Sequence, residues 1–546
     1  MRKKRDTPSR LQNLSFLVII LIAIPVSTYK LGRLPLLHGD EGASGVQATF
    51  FINGAGNIKD AFKMGWGEQP LISFIFQSWF LKVAGVNIFG LRLASVFFGL
   101  ISIIPFFILA RYFLSFSSPE AVVTTCFYVF SHWFIAASRI GINYNQILPF
   151  QLFSLFFLWL GAKKRLKLSL VLSGMISGFC VYLYHAGRIT PFIIIACFFL
   201  LKIKKNNPWK KIILEATFLL LGIAISLIPF ATNYLKTPEQ FFVRTKDVII
   251  LNKFGQLKNQ YQVSNKLAVI GYQFLNTIKI FFIGGDNNEQ YGYQGPMIPF
   301  VFQPLFVFGL FLLITSFFKK TEGLCVFFWI SAILFFGGIL TTAAPNFCRL
   351  ISLLPFIFLT TGLGVNKIGS WIKKKNKKFF FPFLAVLTSL WIATNIKIYF
   401  VDYLTSLKGG WANYDPGTSL GYYFADLGSN WEAIFFGCWK HYPTQGNIGF
   451  LAPRFPVHGE IPFPRAIQMA QDNPKNFVFV FLPYEISQQR NWWESYRKNK
   501  PLPNLDKFNW QEEILALKQA FPYGKIKTFH RSDQTEFFTS YEITKK

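Results

Sequence analysis

The chain has 546 residues, of which 52% are hydrophobic, 18% aromatic and only 15% charged, where a soluble domain carries about 25% charge. That excludes an ordinary soluble protein. Apolar runs recur through roughly the first 400 residues, many near the ~20 that span a bilayer, so the chain reads as a polytopic α-helical membrane protein. The net charge of +30 does not mark a nucleic-acid binder, because Lys and Arg cluster between apolar runs, at 2–5, 163–167, 202–205, 319–320 and 373–378. Cytoplasmic loops have that pattern, and no block adjoins a nucleic-acid module.

In chain order, the predicted spans cover approximately 13–33, 89–111, 119–138, 145–162, 168–185, 189–203, 212–231, 297–318, 323–342, 350–366 and 379–401. The first follows a basic N-terminus as a signal peptide would. No small-residue cleavage motif follows it, so it is expected to remain as a span. The run 70–86, "PLISFIFQSWFLKVAGV", is short and holds Gln77 and Lys82. Charge parity decides its status. With "RKKR" in the cytoplasm, every later basic block falls inside only if 70–86 does not cross. It is therefore expected to lie along the membrane surface as a juxtamembrane helix of the first outer loop. About 11 transmembrane helices remain, with the C-terminus extracytoplasmic.

Two domains are expected: 1–401, transmembrane, and 402–546, a small extracytoplasmic α/β domain. In the second, "NFVFVFLP" (476–483) reads as a buried strand and "NWQEEILALKQAF" (509–521) as an amphipathic helix. "KIKTFHR" and "EFFTSYEI" read as a strand pair around "SDQT". The six cysteines (126, 180, 197, 325, 348 and 438) form no C-x-x-C pair and read as small buried hydrophobes.

Asp40 and Glu41, in "LLHGDEGASG", are the acids nearest a predicted outer membrane edge. A solvated end to the first span would explain them equally well. Parity puts Arg92, Arg139, Arg188 and Arg349 near the same face. One such arginine is readily an interfacial anchor whose stem snorkels to water. Four on a face otherwise poor in positive charge point to an anion. Guanidinium binds phosphate bidentately and stays charged, so a phosphate with an attached sugar, carried on a lipid, is the natural ligand.

Several stretches resemble signatures of the GT-C membrane glycosyltransferases, in particular the protein O-mannosyltransferase and aminoarabinose-transferase group and the bacterial RgtA/B/C/D-like proteins. They are "GDEG" (39–42), "EQPL" (68–71), "FGLRLAS" (89–95), "SRIG" (138–141), "YLYHAGR" (182–188), "GGDNNEQYGYQGPM" (284–297) and "PNFCRLISLLP" (345–355), with the C-terminal stretch from Leu517 to Ile543. Each is loose; their order and spacing carry the likeness, which runs over most of the chain. The resemblance implies a GT-C fold. It also implies an inverting transfer of a sugar from a polyprenyl-phosphate donor to an acceptor lipid, glycan or protein on the outer face of the cytoplasmic membrane. Asp40 would be the general base and Glu41 its support. Glu68, Arg92, Arg139, Asn145, Tyr184, Arg188 and Arg349 would bind substrate, with Arg188 or Arg349 stabilising the departing phosphate. No cofactor or metal is implied. Several relatives carry a second acid after the "SR" motif, where this chain has "INYNQ", so an acid or metal role there is not carried over.

A transporter or flippase of a lipid-linked substrate would also need many spans and buried arginines. It would be expected to show paired half-repeats, which are not evident, and it leaves the first-loop acids and the outer tail unexplained. A glycan polymerase or ligase would concentrate its chemistry in a large late loop, for which 232–296 is the candidate. A non-catalytic relative could keep the same fold.

Overall fold

The computed structural model describes residues 10–203, 208–284, 293, 295–316, 320–404, 416–436, 445–459, 461–482, 510–530 and 536–545. Two compact units result. One comprises Met1–Pro35 and Gln47–Asn413; the other comprises Leu36–Val46 and Tyr414–Lys546.

The first unit is helical, and each predicted apolar run carries a helix. Among the described residues, six helices are long and apolar enough to cross a membrane, and up to eight if two bent pairs each count as one span. The chain is thus a multi-pass membrane protein. The bends have local causes. Ser131 caps the His132–Ser138 helix, accepting the Phe134 N–H at 3.2 Å, and the chain turns by 58° there. Pro229 stands in the first turn of Ile228–Tyr234, where its missing N–H is tolerated, and the axis turns by 46°. Ser15–Thr28, Lys167–Tyr182 and Phe300–Thr315 are shorter apolar helices. So is Ile72–Ala84, the expected surface helix.

Close approach of backbones sets the packing of Lys167–Phe179 on Trp209–Ser226. A Cβ on Gly174 would collide with the Leu219 carbonyl, and one on Gly222 with the Val171 carbonyl. Small residues four apart, Gly174 and Gly178, allow this contact in a membrane, where no hydrophobic effect draws helices together. Nearby, Lys202 and Glu215 form a buried ion pair, and Lys202 also donates to the Ala162 carbonyl at 2.9 Å.

Two arginines organise the connection after the first helix. Arg139 is fully buried. Its Nη1 donates to the carbonyls of Val26 (3.2 Å) and Ser27 (3.0 Å), and its Nη2 to those of Tyr29 (2.7 Å) and Leu34 (3.0 Å). It thereby satisfies carbonyls that the end of helix Arg10–Thr28 leaves open. Arg92, equally buried, donates to Leu31 (2.9 Å) and Pro35 (2.8 Å) carbonyls.

The second unit is built on a five-stranded sheet: β1 (Trp431–Phe436), β2 (Val457–Gly459), β3 (Asn476–Phe481), β4 (Lys525–His530) and β5 (Glu536–Ile543), in the order β2-β1-β3-β5-β4. β1 pairs in parallel with β2 and β3, while β5 runs antiparallel to β3 and β4. Every residue of β3 is buried. Val478 and Val480 pack with Leu420 and Phe424 on one face; Phe477, Phe479 and Phe481 pack with Ala466 and Leu517 on the other. A continuous apolar run is what a strand covered on both faces requires. The predicted helix is Trp510–Ala520, and the predicted strand pair is β4 and β5. The "SDQT" between them lies outside the described residues.

The second unit also takes in Leu36–Val46, a stretch inside the expected domain 1–401. Helix Gly39–Thr49 lies against helix Gly446–Leu451 with backbones almost touching. A Cβ on Gly42 would strike Gly446 and Asn447, and one on Gly446 would strike Gly39 and Ala43. Thr418 Oγ1 donates to the Leu37 carbonyl at 2.9 Å. The final glycine of "GDEG" is thus explained by packing.

Candidate active site

The acidic motif begins a helix, and His38 caps it. The His38 carbonyl accepts the Gly42 N–H at 3.0 Å, and its Nδ1 accepts the Asp40 N–H at 3.0 Å. The Glu41 carboxylate reaches back to accept the His38 N–H at 3.1 Å. That is one half of a capping box, in which an acid three residues into a helix satisfies the cap's own amide. Glu41 is therefore buried, 1% exposed. Asp40, the next residue round the helix, is only half-buried. Geometry separates the two acids: one closes the helix start, and the other points elsewhere.

A cluster of basic side chains forms in the first unit. The chain from Gly65 to Pro70 makes a tight turn, with Gly65 N–H donating to the Gln69 carbonyl at 2.8 Å. Gly67 and Glu68 at its tip have φ of 65° and 52°. For Glu68 this left-handed backbone costs of order 1–3 kcal/mol, a strain that clusters at functional sites. His185 Nε2 lies 3.0 Å from the Gly67 carbonyl, which requires it to be the protonated nitrogen. Arg188 Nη1 donates to Thr245 Oγ1 at 3.1 Å and Nη2 reaches the Glu68 carbonyl at 3.5 Å. Its guanidinium lies 4.0 Å from the Phe241 ring centroid. The Glu68 carboxylate and the Tyr234 hydroxyl lie within electrostatic range of Arg188. Arg188, Arg244 and Arg349 all act in this way on His185.

Two polar atoms in this cluster, His185 Nδ1 and Arg188 Nε, are buried without a hydrogen-bond partner among the described residues. Buried polar atoms are rarely left so. Arg349, half-buried, donates to the Thr342 carbonyl. Tyr184 is half-buried and stacks edge-on to Tyr144, ring centroids 6.0 Å apart.

The cluster brings together Glu68, Arg188 and the field of Arg349. Arg92 and Arg139, expected to bind substrate, direct their guanidinium groups at backbone carbonyls. Asn145 is likewise fully buried, its Nδ2 donating to the Ser95 carbonyl at 2.8 Å. Both arginines thus hydrogen-bond several backbone carbonyls at the end of the first helix and in the connection after it. Sequence reasoning missed His185, Tyr234, Phe241, Arg244 and Thr245. His185 lay within the quoted "YLYHAGR"; the others fall in a segment without motif. Asp286, Glu289 and most of the 284–297 stretch lie outside the described residues.

Residues 68–235 match the sequence profile of a family described as dolichyl-phosphate-mannose-protein mannosyltransferase. None of the curated proteins matches the chain. Among solved structures, apo ArnT from Cupriavidus metallidurans is similar at 12% identity with a TM-score of 0.57, over 98% of this chain and 98% of that one. ArnT bound to undecaprenyl phosphate gives 13% and 0.53, over 96% and 97%. The Archaeoglobus fulgidus oligosaccharyltransferase gives 15% and 0.52, over 97% of this chain and 75% of that one. At these identities the likeness is one of fold.

Proposed function

We propose that this chain, whose fold is that of the GT-C superfamily of membrane glycosyltransferases, moves a sugar from a polyprenyl-phosphate donor to an acceptor hydroxyl on the outer face of the cytoplasmic membrane. The observation that carries this reading is the cluster at Arg188. It combines a buried Arg188 Nε without a hydrogen-bond partner among the described residues, two further arginines within electrostatic range of His185 and a strained turn bearing Glu68. Such a cluster suits a phosphate, and low dielectric makes the attraction strong. ArnT, which shares the fold, binds undecaprenyl phosphate.

The transfer is a single displacement. The acceptor oxygen bonds to the anomeric carbon as the bond from that carbon to the phosphate oxygen breaks, so configuration inverts. The acceptor proton passes to Asp40, and the leaving phosphate keeps the electron pair. Its growing charge is stabilised by Arg188 and Arg349. Glu68 and Tyr184 contact the donor, and Glu41 acts only as a positioning residue through the helix start. The test uses purified protein with a polyprenyl-phosphate sugar and its acceptor. Asp40→Asn should lower kcat by about 10²–10⁴ with donor affinity kept, while Arg188→Ala should lose donor affinity. Unchanged turnover in Asp40→Asn overturns the base assignment. Movement of the lipid across vesicles without covalent product overturns the transferase reading.

A further inference from the structure

Helices Leu354–Lys375 and Phe380–Ile396 form a hairpin whose turn carries a long basic block, "KKKNKK" at 373–378. The turn is well defined: Asn376 Oδ1 accepts the Lys378 N–H at 3.0 Å and opens a 3-10 turn, Lys377–Phe379. Beside it lies an open groove of about 500 Å³. Trp371, Phe379, Pro382, Phe383 and Val386 line it, and Lys375 completes the wall. The lining is almost wholly apolar, yet Trp371 is 56% and Val386 60% exposed. The stretch Lys377–Tyr403 is the least buried of the long apolar helices, so this face belongs to lipid.

Two of the lysines lie over aromatic rings of the hairpin. Lys375 Nζ lies 4.6 Å from the Trp371 ring centroid and Lys373 Nζ 5.3 Å from that of Phe380. Glu120 is within electrostatic range of Lys373; the other four lysines form no ion pair among the described residues. An apolar groove with the Lys375 ammonium in its wall, at a turn that carries four more lysines, matches neither a neutral lipid, which leaves the charge unanswered, nor a soluble anion, which leaves the groove empty. We propose that this hairpin binds one anionic phospholipid, with an acyl chain in the groove and the phosphate among lysines 373–378. The proposal is independent of the transferase reading, because no residue of the Arg188 cluster takes part.

Native mass spectrometry of the purified full-length protein, titrated with phosphatidylglycerol and phosphatidylcholine of matched chains, tests it. Phosphatidylglycerol should be retained preferentially. A juxtamembrane lysine changes affinity for an anionic surface by roughly fivefold, so Lys374→Gln with Lys375→Gln should weaken retention by an order of magnitude or more. Val386→Trp, which fills the groove and leaves the charges, should also weaken it and keeps the test available if the lysine variant misfolds. Equal retention of the two lipids by the native protein overturns the proposal, as does phosphatidylglycerol retention unchanged by Val386→Trp.

Discussion

Arg139→Ala separates a structural arginine from a ligand-binding one. The guanidinium is fully buried on four carbonyls, those of Val26, Ser27, Tyr29 and Leu34, with Tyr399 Oη at 3.3 Å from Nε. Each buried carbonyl left without a partner costs about 1–3 kcal/mol, so four give a gross loss of about 4–12 kcal/mol. Removing the cation also relieves its own desolvation cost, several kcal/mol. A net loss of about 4 kcal/mol remains, a large part of the 5–15 kcal/mol that holds a typical fold together. Thermal unfolding in detergent, with the yield of monodisperse protein, should show this loss. Arg139→Lys should rescue little, since one ammonium cannot span four carbonyls arranged for a planar fork. Arg188→Ala should instead keep the fold. An Arg139→Ala protein as stable as the native one, but with a raised KM for donor, would refute the structural assignment.

Gly42→Ala should destabilise the second unit by about 1–3 kcal/mol, the range for overpacking, because its Cβ meets the Gly446 and Asn447 backbones; Gly449→Ala, whose Cβ makes only ordinary contact with Val46, is the control, and limited proteolysis reads both. Lys202→Met leaves Glu215 buried and unpaired and should cost about 3–5 kcal/mol, while Lys202→Met with Glu215→Leu should recover most of it; thermal unfolding of the two variants checks this. Burial pushes the Glu432 carboxyl up, but Lys475 at 2.9 Å and His458 at 3.0 Å outweigh it and hold the pKa below its usual value. Its pairing therefore stabilises the fold above the ordinary carboxylate pKa, and that contribution is lost as pH falls through the lowered one. Glu432→Gln should flatten the acid limb of the second unit's stability curve, followed by tryptophan fluorescence.

The helices were legible because membrane spans are written in composition: each apolar run became a helix, and only their lengths and bends depended on Ser131, Pro229 and the packing of neighbours. β3 was legible for a related reason, since burial on both faces leaves no room for alternation. The division of labour between Asp40 and Glu41 was half legible. Their spacing required different directions, but nothing in "GDEG" said which acid reaches back to His38. The arginines were not legible. Arg92, Arg139, Arg188 and Arg349 look alike in sequence, and their roles depend on whether carbonyls from a distant segment converge on them. Arg139 meets carbonyls more than 100 positions away. The cluster residues between 234 and 245 carry no motif at all.

The contact between Leu37 and Thr418 spans 381 positions. A ribosome adding about 5–20 residues per second takes roughly 20–80 s to make that stretch. Throughout that interval the helix bearing Asp40 has been synthesised but lacks the surface against which Gly42 packs. Assembly of the acidic motif is thus timed by the arrival of the far end of the chain, and the protein acquires its proposed base last although it encodes it first.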